Sequence, residues 1–539
     1  MNVHWFGKQY WQILIPFGLS ILAVVLRLQG IGSTPISQDE SSIIRYAQEG
    51  VLERGYPFLW RAGKEFIMAT YELIPYPVAG AIYWLGFSEF SVRLPALCFG
   101  VGTTLLIFYF GSYLFDRRVG LLASLIYAIL PWSIYWGNNC FYPSQLQFFV
   151  LLTTMTVHHL IYHQKVATYS YYLISLTFIL TYFSWEVSGI LLPIFFLIGL
   201  MLRWGHWTWL ANYHFWNALS LVVIAVGTQL YHRTILRAPF EKLGSSLADV
   251  SFFQLASNRI DYDPLFYLDI FVSADVHIML IGFILVGVFF LRTNWNLRFI
   301  YLLIVLSQIF LTTFIGLYAL RYAYFLLPFI VIAASAATFL SMDSLVSRLK
   351  PMRSVKIFNA IGTALLCGSH LAFASSDGLH LEGLFPWLNN YHFELQYNSR
   401  GSSFRSISNK LQEHYHSGDI VVIQAPSPTI VYTDIKTDYF LQSIVMSAVF
   451  AKPEHSHYFV DKWVGNPVLR TLEDLQDVLY GHSRVWIVLT PFRRGIERVT
   501  DDIQYFITHK ASLIAESTKG RLYLWENPAF IRQNKVQLN

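Results

Sequence analysis

Two adjacent carboxylates, Asp39 and Glu40, stand in the run Ser37-Gln38-Asp39-Glu40, just after the first long apolar segment, Gln9 to Leu26. Where an apolar helix leaves a bilayer, a carboxylate faces water on one side and low-dielectric protein and lipid on the other. That setting suits a general base working at the ends of lipid-borne substrates. The pattern also has a plainer use, because Ser37, Asp39 and Ser41 are all competent helix N-caps, and position alone leaves both uses open. Arg321-Tyr322 is the second combination with chemistry in it, placed between two uncharged apolar segments. An arginine there can hold a phosphate by charge-assisted, often bidentate hydrogen bonds, or simply extend its head to the membrane surface.

Other reactive patterns are thin. Gly100-Val101-Gly102 lies inside an apolar segment without the lysine of a phosphate loop and reads as helix packing. No GxSxG or HExxH run occurs. His159 and His163 have i, i+4 spacing with no acid beside them, and they read as packed or interfacial, as do His455 and His457. Cys98, Cys140 and Cys367 are far apart and give neither a disulfide framework nor a metal knuckle.

The elements that position these residues follow from composition. Of 539 residues, 55% are hydrophobic and 13% charged, against about a quarter charged in soluble domains. The chain reads as an α-helical polytopic membrane protein of about eleven spans. They are expected near 10–28, 94–114, 119–136, 145–162, 169–184, 187–202, 214–231, 275–291, 299–317, 322–341 and 357–373. The first is read as an uncleaved span. From Val119 to Gln164 there is no charged residue, and Gly137-Asn138-Asn139 and Pro143 break the run into a helical hairpin. The net charge of +5 is diffuse and carries no nucleic-acid signature.

Loop charges set the expected orientation. With the N-terminus inside, Arg117, Arg118, Lys165, Arg203, Arg292, Arg298, Arg348, Lys350, Arg353 and Lys356 fall on the inner side. Asp39, Glu40, Glu49, Glu53, Glu65, Glu72, Glu89 and Glu186 fall outside. The membrane domain is expected over 1–373, with a long first outer loop, 29–93. In that loop Ser41–Glu53 has helical spacing, and Leu73–Phe87 reads as an interfacial helix. Residues 374–539 alternate strand-like runs (Asp419–Gln424, Arg484–Leu489, Arg521–Trp525) with helix-like ones (Ser406–His414, Thr471–Leu479), which implies an extracytoplasmic α/β domain.

Several ordered motifs then agree. Gly86-Phe87-Ser88-Glu89-Phe90 leads into Arg93-Leu94-Pro95, and after the next span comes Leu114-Phe115-Asp116-Arg117-Arg118-Val119-Gly120-Leu121-Leu122-Ala123. With Asp39-Glu40 after the first span, and Arg321-Tyr322 followed by Pro328, the chain resembles the superfamily C membrane glycosyltransferases over about residues 10–345. It resembles in particular bacterial relatives of protein O-mannosyltransferases and of aminoarabinose and galacturonic acid transferases. Two departures stand out. Glu72-Leu73-Ile74-Pro75-Tyr76-Pro77 replaces a paired proline, and Gly137-Asn138-Asn139-Cys140-Phe141-Tyr142 stands where relatives often have a Ser-Arg-x-x-Arg segment.

The resemblance implies a polyprenyl-phosphate-linked sugar as donor and inverting transfer to an acceptor hydroxyl on a protein, glycolipid or polysaccharide, outside the plasma membrane. Asp39 would be the base, Glu40 would orient it or the acceptor, and Arg321 with Tyr322 would hold the donor phosphate. Glu65, Glu72 and Glu186 are the further carboxylates that could support the site or hold a divalent cation, although nothing in the sequence requires one. A transporter or lipid flippase, or an inactive scaffold with an outer binding domain, are the competing classes. The acids crowd the outer face and no repeated halves are evident, unlike in transporters.

Overall fold

The computed structural model describes residues 3–29, 31–32, 34–56, 58–61, 64–67, 72–163, 166–203, 208–241, 267, 278–315, 320–348, 353–374, 404–443, 449–451, 459–461, 464–490, 499–517 and 520–529. The N-terminal part is a helical bundle. Its helices are α1 (Val3–Leu28), α2 (Gln38–Arg45), α3 (Pro75–Leu85), α4 (Glu89–Leu114), α5 (Arg117–Ile129), α6 (Pro131–Gly137), α7 (Pro143–Tyr162) and α8 (Thr168–Ser184). They are followed by α9 (Leu191–Leu202), α10 (Tyr213–Glu241), α11 (Ile278–Gly287), α12 (Trp295–Phe314), α13 (Leu327–Arg348) and α14 (Arg353–Ala374). Each expected apolar segment contains a helix. Among the described residues, Glu89–Leu114, Trp295–Phe314 and Tyr324–Ser347 are by themselves long and apolar enough to cross a bilayer, and the bent pair α5–α6 makes a fourth. The chain is thus a predominantly helical, polytopic membrane protein.

Small residues set how closely these helices approach. A Cβ on Gly111 of α4 would come within 2.9 Å of the Cα of Gly120 on α5. Only glycine therefore allows the two backbones to meet there, which gives Gly120 of the Asp-Arg-Arg-Val-Gly run a packing reason. Asp116 caps α5 by accepting from the Val119 amide at 3.0 Å, and Arg118 bridges Asp116 (2.8 Å) and Asp343 on α13 (3.0 Å).

The expected single helix over 119–136 is in fact broken, with a bend of 67° between α5 and α6. Pro131 has no N–H to give the Tyr127 carbonyl, and the Ser133 hydroxyl bonds that carbonyl instead. Arg27 of α1, wholly buried, donates to Ser133 Oγ at 3.2 Å and lies over the Tyr127 ring at 5.6 Å. Glycines make room for it. A Cβ on Gly100 or on Gly137 would sit 2.7 or 2.6 Å from Arg27 Nε. The bend carries the chain into residues 138–142, which line the candidate site.

In the long loop after α1, α2 runs into a π-helical turn, Tyr46–Leu52, and a hairpin of β1 (Phe58–Arg61) and β2 (Lys64–Ile67) follows. Nothing in the sequence reading anticipated the hairpin. Helix α10 continues to Glu241, beyond the span expected to end near 231. The exposed rings of Tyr83 and Trp84 on α3 suit an interfacial position.

The C-terminal α/β region contains α15 (Phe404–His414), β3 (Ile420–Ile423), α16 (Pro426–Thr433), β4 (Tyr439–Leu441), β5 (Val449–Ala451), β6 (Phe459–Asp461), β7 (Pro467–Leu469), α17 (Leu472–Gly481), β8 (Arg484–Leu489), α18 (Asp501–Lys510), β9 (Ser512–Ser517) and β10 (Gly520–Glu526). The sheet order is β5-β6-β7-β4-β3-β8-β10-β9. Strands β7, β4, β3 and β8 are parallel neighbours, and the pairs at both edges are antiparallel. The central strands are continuous apolar runs, Ile-Val-Val-Ile and Val-Trp-Ile-Val, because both faces of a parallel sheet are covered. Val422 and Ile487 face one core, and Val421 and Trp486 the other.

Candidate active site

The capping ambiguity at Ser37-Gln38-Asp39-Glu40 resolves into separate roles. Ser37 is the N-cap of α2, accepting from the Glu40 amide at 3.3 Å, while the Glu40 carboxylate accepts from the Ser37 amide at 2.9 Å. This reciprocal box satisfies two end donors of the helix. Glu40 also forms a bidentate pair with Arg93, from Nε at 2.7 Å and Nη2 at 2.9 Å, both side chains being 1% exposed. Arg93 spends its remaining donors on the carbonyls of Ile31 (2.9 Å), Thr34 (2.6 Å) and Pro35 (3.1 Å). The Cys140 amide donates to Glu40 Oε1 at 3.2 Å. Burial alone would push the Glu40 carboxyl up. The charge and hydrogen bonds of Arg93, with the Ser37 and Cys140 amides, overcome this and hold it below the ordinary glutamate value. Glu40 is therefore committed to fixing the loop before α2 against α4 and the 138–142 segment.

Asp39 is left on the open side of the same helical turn, 46% exposed, and its Oδ2 lies 3.4 Å from Arg321 Nη1. The two residues singled out at opposite ends of the membrane sequence thus meet. Arg321 stands in a 3-10 turn, Leu320–Tyr322, with its guanidinium over Phe141 (5.5 Å) and Tyr322 (5.7 Å). Beneath it is an aromatic column. The Tyr322 ring lies 4.9 Å from Trp185, which stacks on Tyr142 at 5.1 Å and 16°. Tyr322 is buried, so it supports Arg321 from below. Cation–π contacts of this kind contribute about 0.5–2 kcal/mol and hold the planar head in one orientation.

The remaining carboxylates stand on separate elements. Glu72 is half-buried and accepts from Gln229 on α10. Glu65 is on β2 opposite Trp60, and its side chain lies outside the described residues. Glu186 is buried at the start of the 3-10 turn after α8, next in sequence to Trp185. Among the described residues no three His, Cys, Asp or Glu side chains converge as metal ligands. His159 and His163 have ring centroids 4.5 Å apart, and His163 bonds Tyr113 at 3.1 Å, at the other end of the bundle. His455 and His457 lie outside the described residues.

Sequence reasoning missed the partners of these groups. Arg93 lies near the start of an apolar helix and needs a counter-charge when buried there, a signal that an acidic partner exists but not which one. Phe141, Tyr142 and Trp185 gave no such signal, since aromatic residues abound in the chain.

The C-terminal region closes over the same elements. Tyr432 of α16 accepts from the Ile36 amide at 2.6 Å and donates to Glu89 Oε1, at the start of α4, at 2.7 Å. Arg405 of α15 forms an ion pair with Glu89 as well. Arg45 of α2 is held by Glu49 (2.5 and 2.9 Å) and reaches Ser427 at 3.4 Å. Burial and the bond to Glu89 push the Tyr432 hydroxyl well up, so it stays neutral. Three parts of the chain therefore converge three residues before Asp39.

No protein-family profile matches this chain, and no curated protein matches it in sequence. Solved structures do match in shape. The crystal structure of ArnT from Cupriavidus metallidurans in the apo state superposes with a TM-score of 0.66 at 9% identity, covering 96% of this chain and 98% of that one. The same protein bound to undecaprenyl phosphate gives 0.64 at 10% identity, over 95% and 98%. The Archaeoglobus fulgidus oligosaccharyltransferase in its apo form gives 0.46 at 14% identity, over 80% and 64%. The chain therefore shares the fold of ArnT.

Proposed function

We propose that the chain is an integral membrane glycosyltransferase that moves a sugar from a polyprenyl-phosphate donor to an acceptor hydroxyl, with inversion, on the extracytoplasmic side of the plasma membrane. The observation that carries this reading is the Asp39–Arg321 pair, an open carboxylate 3.4 Å from an arginine braced on aromatic rings. A crystal structure of ArnT, which shares this fold, holds undecaprenyl phosphate. That supports a polyprenyl phosphate as the lipid carrier here.

In this reading Asp39 takes the proton of the acceptor hydroxyl as its oxygen attacks the anomeric carbon. The bond from that carbon to the phosphate oxygen breaks, and its electron pair leaves with the lipid phosphate, whose growing charge Arg321 stabilises. Before donor arrives, Arg321 keeps Asp39 company as an ion pair, and the phosphate then takes over the guanidinium. Glu40 acts through position, fixing α2. Tyr322 acts through Arg321. Glu65, Glu72 and Glu186 stay candidates for supporting the site, and no step is routed through a divalent cation. The proposal includes eleven crossings with the N-terminus in the cytoplasm, a membrane domain over 1–373 and an outer domain over 374–539.

The test is transfer of radiolabelled sugar from a polyprenyl-phosphate donor to acceptor by the purified protein in detergent. Transfer of label with release of polyprenyl phosphate supports the enzyme. Movement of intact donor across vesicles without cleavage would instead identify a flippase.

A further inference from the structure

At the end of the bundle opposite Asp39, the last turns of α7, the first turns of α8 and α10 and the body of α9 enclose a cavity of about 690 Å³, within the roughly 300–1,000 Å³ of ligand sites. Its walls are apolar, with Ile161, Phe178, Leu192, Phe195 and Val222 among them, and its mouth carries Arg203 and His163. Arg203 is fixed there by donating to the carbonyls of Ile161 and, at 2.5 Å, Tyr162, which end α7. The turns that form the cavity carry no carboxylate to neutralise it. The sequence has no Asp or Glu between Asp116 and Glu186, nor between Glu186 and Glu241.

We propose that this cavity is a binding site for one anionic phospholipid of the bilayer, with an acyl chain between α8 and α9 and its phosphate at Arg203. An apolar slot in a membrane bundle takes a lipid chain, and a basic mouth between helices selects an anionic head. The occupant differs from the sugar donor, whose phosphate belongs at Arg321, beyond the other end of α7 and α8.

Native mass spectrometry of the detergent-solubilised full chain tests this, with phosphatidylglycerol, phosphatidylcholine of the same chains and polyprenyl phosphate as probes. One phosphatidylglycerol should be retained roughly fivefold more tightly than phosphatidylcholine, the effect of one basic side chain on an anionic lipid. Arg203→Gln should remove that preference. Gly199 lines the cavity, and its added Cβ would meet only ordinary contacts, 3.5 Å from Trp209, so Gly199→Phe should lower retention of both phospholipids. Equal retention of the two by the wild-type protein would overturn the proposal. So would a Gly199→Phe protein that holds them unchanged, or polyprenyl phosphate displacing phosphatidylglycerol at equal concentration. None of these readouts depends on sugar transfer, so they stand apart from the enzymatic reading.

Discussion

Arg321 is the residue whose surroundings say most about the substrate. Its guanidinium lies over two aromatic rings and beside the half-exposed Asp39 carboxylate, a setting that orients the head. Arg93 shows the contrast, with a fully buried carboxylate and three carbonyls. Arg321→Ala should weaken donor binding, and Arg321→Lys should weaken it less, since lysine keeps the charge but loses the planar fork. Titration of purified protein with polyprenyl phosphate measures both, and unchanged affinity in both would leave Arg321 a membrane-surface anchor. Glu40 gives a second outcome at this scale. Its carboxyl is held below the ordinary value of 4.5, so its ionised form stabilises the fold at neutral pH, and that contribution fades as pH falls below about 4.5. Glu40→Gln leaves Arg93 buried without its partner, at a cost of about 3–5 kcal/mol. The gap in Tm between wild type and Glu40→Gln should be constant near neutrality and narrow in acid. A gap that widens in acid would contradict this assignment.

At the scale of elements, α2 is held from three sides, by Ser37 at its own start, by Arg93 of α4 and by Tyr432 of α16. Tyr432→Phe keeps the ring and removes the hydroxyl's hydrogen bonds, those to Ile36 and Glu89 among them. Amide hydrogen exchange over residues 34–45 should rise while the central strands β3 and β8 stay protected, and turnover should fall with donor affinity unchanged. Unchanged exchange there would mean that α2 is held without the C-terminal region. The helices of the bundle were legible in the sequence because apolar runs of bilayer length admit little else. The bend at Leu130-Pro131 was overlooked because Pro131 sits in an otherwise uninterrupted apolar run. The β1–β2 hairpin escaped because Phe58–Ile67 has no turn signal of the Asn-Gly kind. Of the site, Asp39 and Arg321 were legible as misplaced charges. Their meeting across 281 intervening positions, and the aromatic column beneath Arg321, depend on tertiary packing that no local pattern encodes.

For the whole molecule, the C-terminal α/β region and the bundle share one packed surface, with Val431 of α16 buried in the bundle's core cluster. Cysteine labelling in intact cells should place Asp116–Arg118 and residues 348–356 in the cytoplasm and residues 404–529 outside. Labelling of the outer region only after lysis would invert the orientation and remove Asp39 from the extracytoplasmic side. The most direct test of the proposed chemistry is transfer by the Asp39→Asn protein, at amounts of folded protein matched to wild type. Ser37, not Asp39, caps α2, so Asp39→Asn should leave folding and melting close to wild type. As general base, Asp39 should account for about a hundredfold to ten-thousandfold in rate. A folded Asp39→Asn protein with turnover reduced by that factor is the expected result, and near-normal turnover would contradict the role of Asp39 outright.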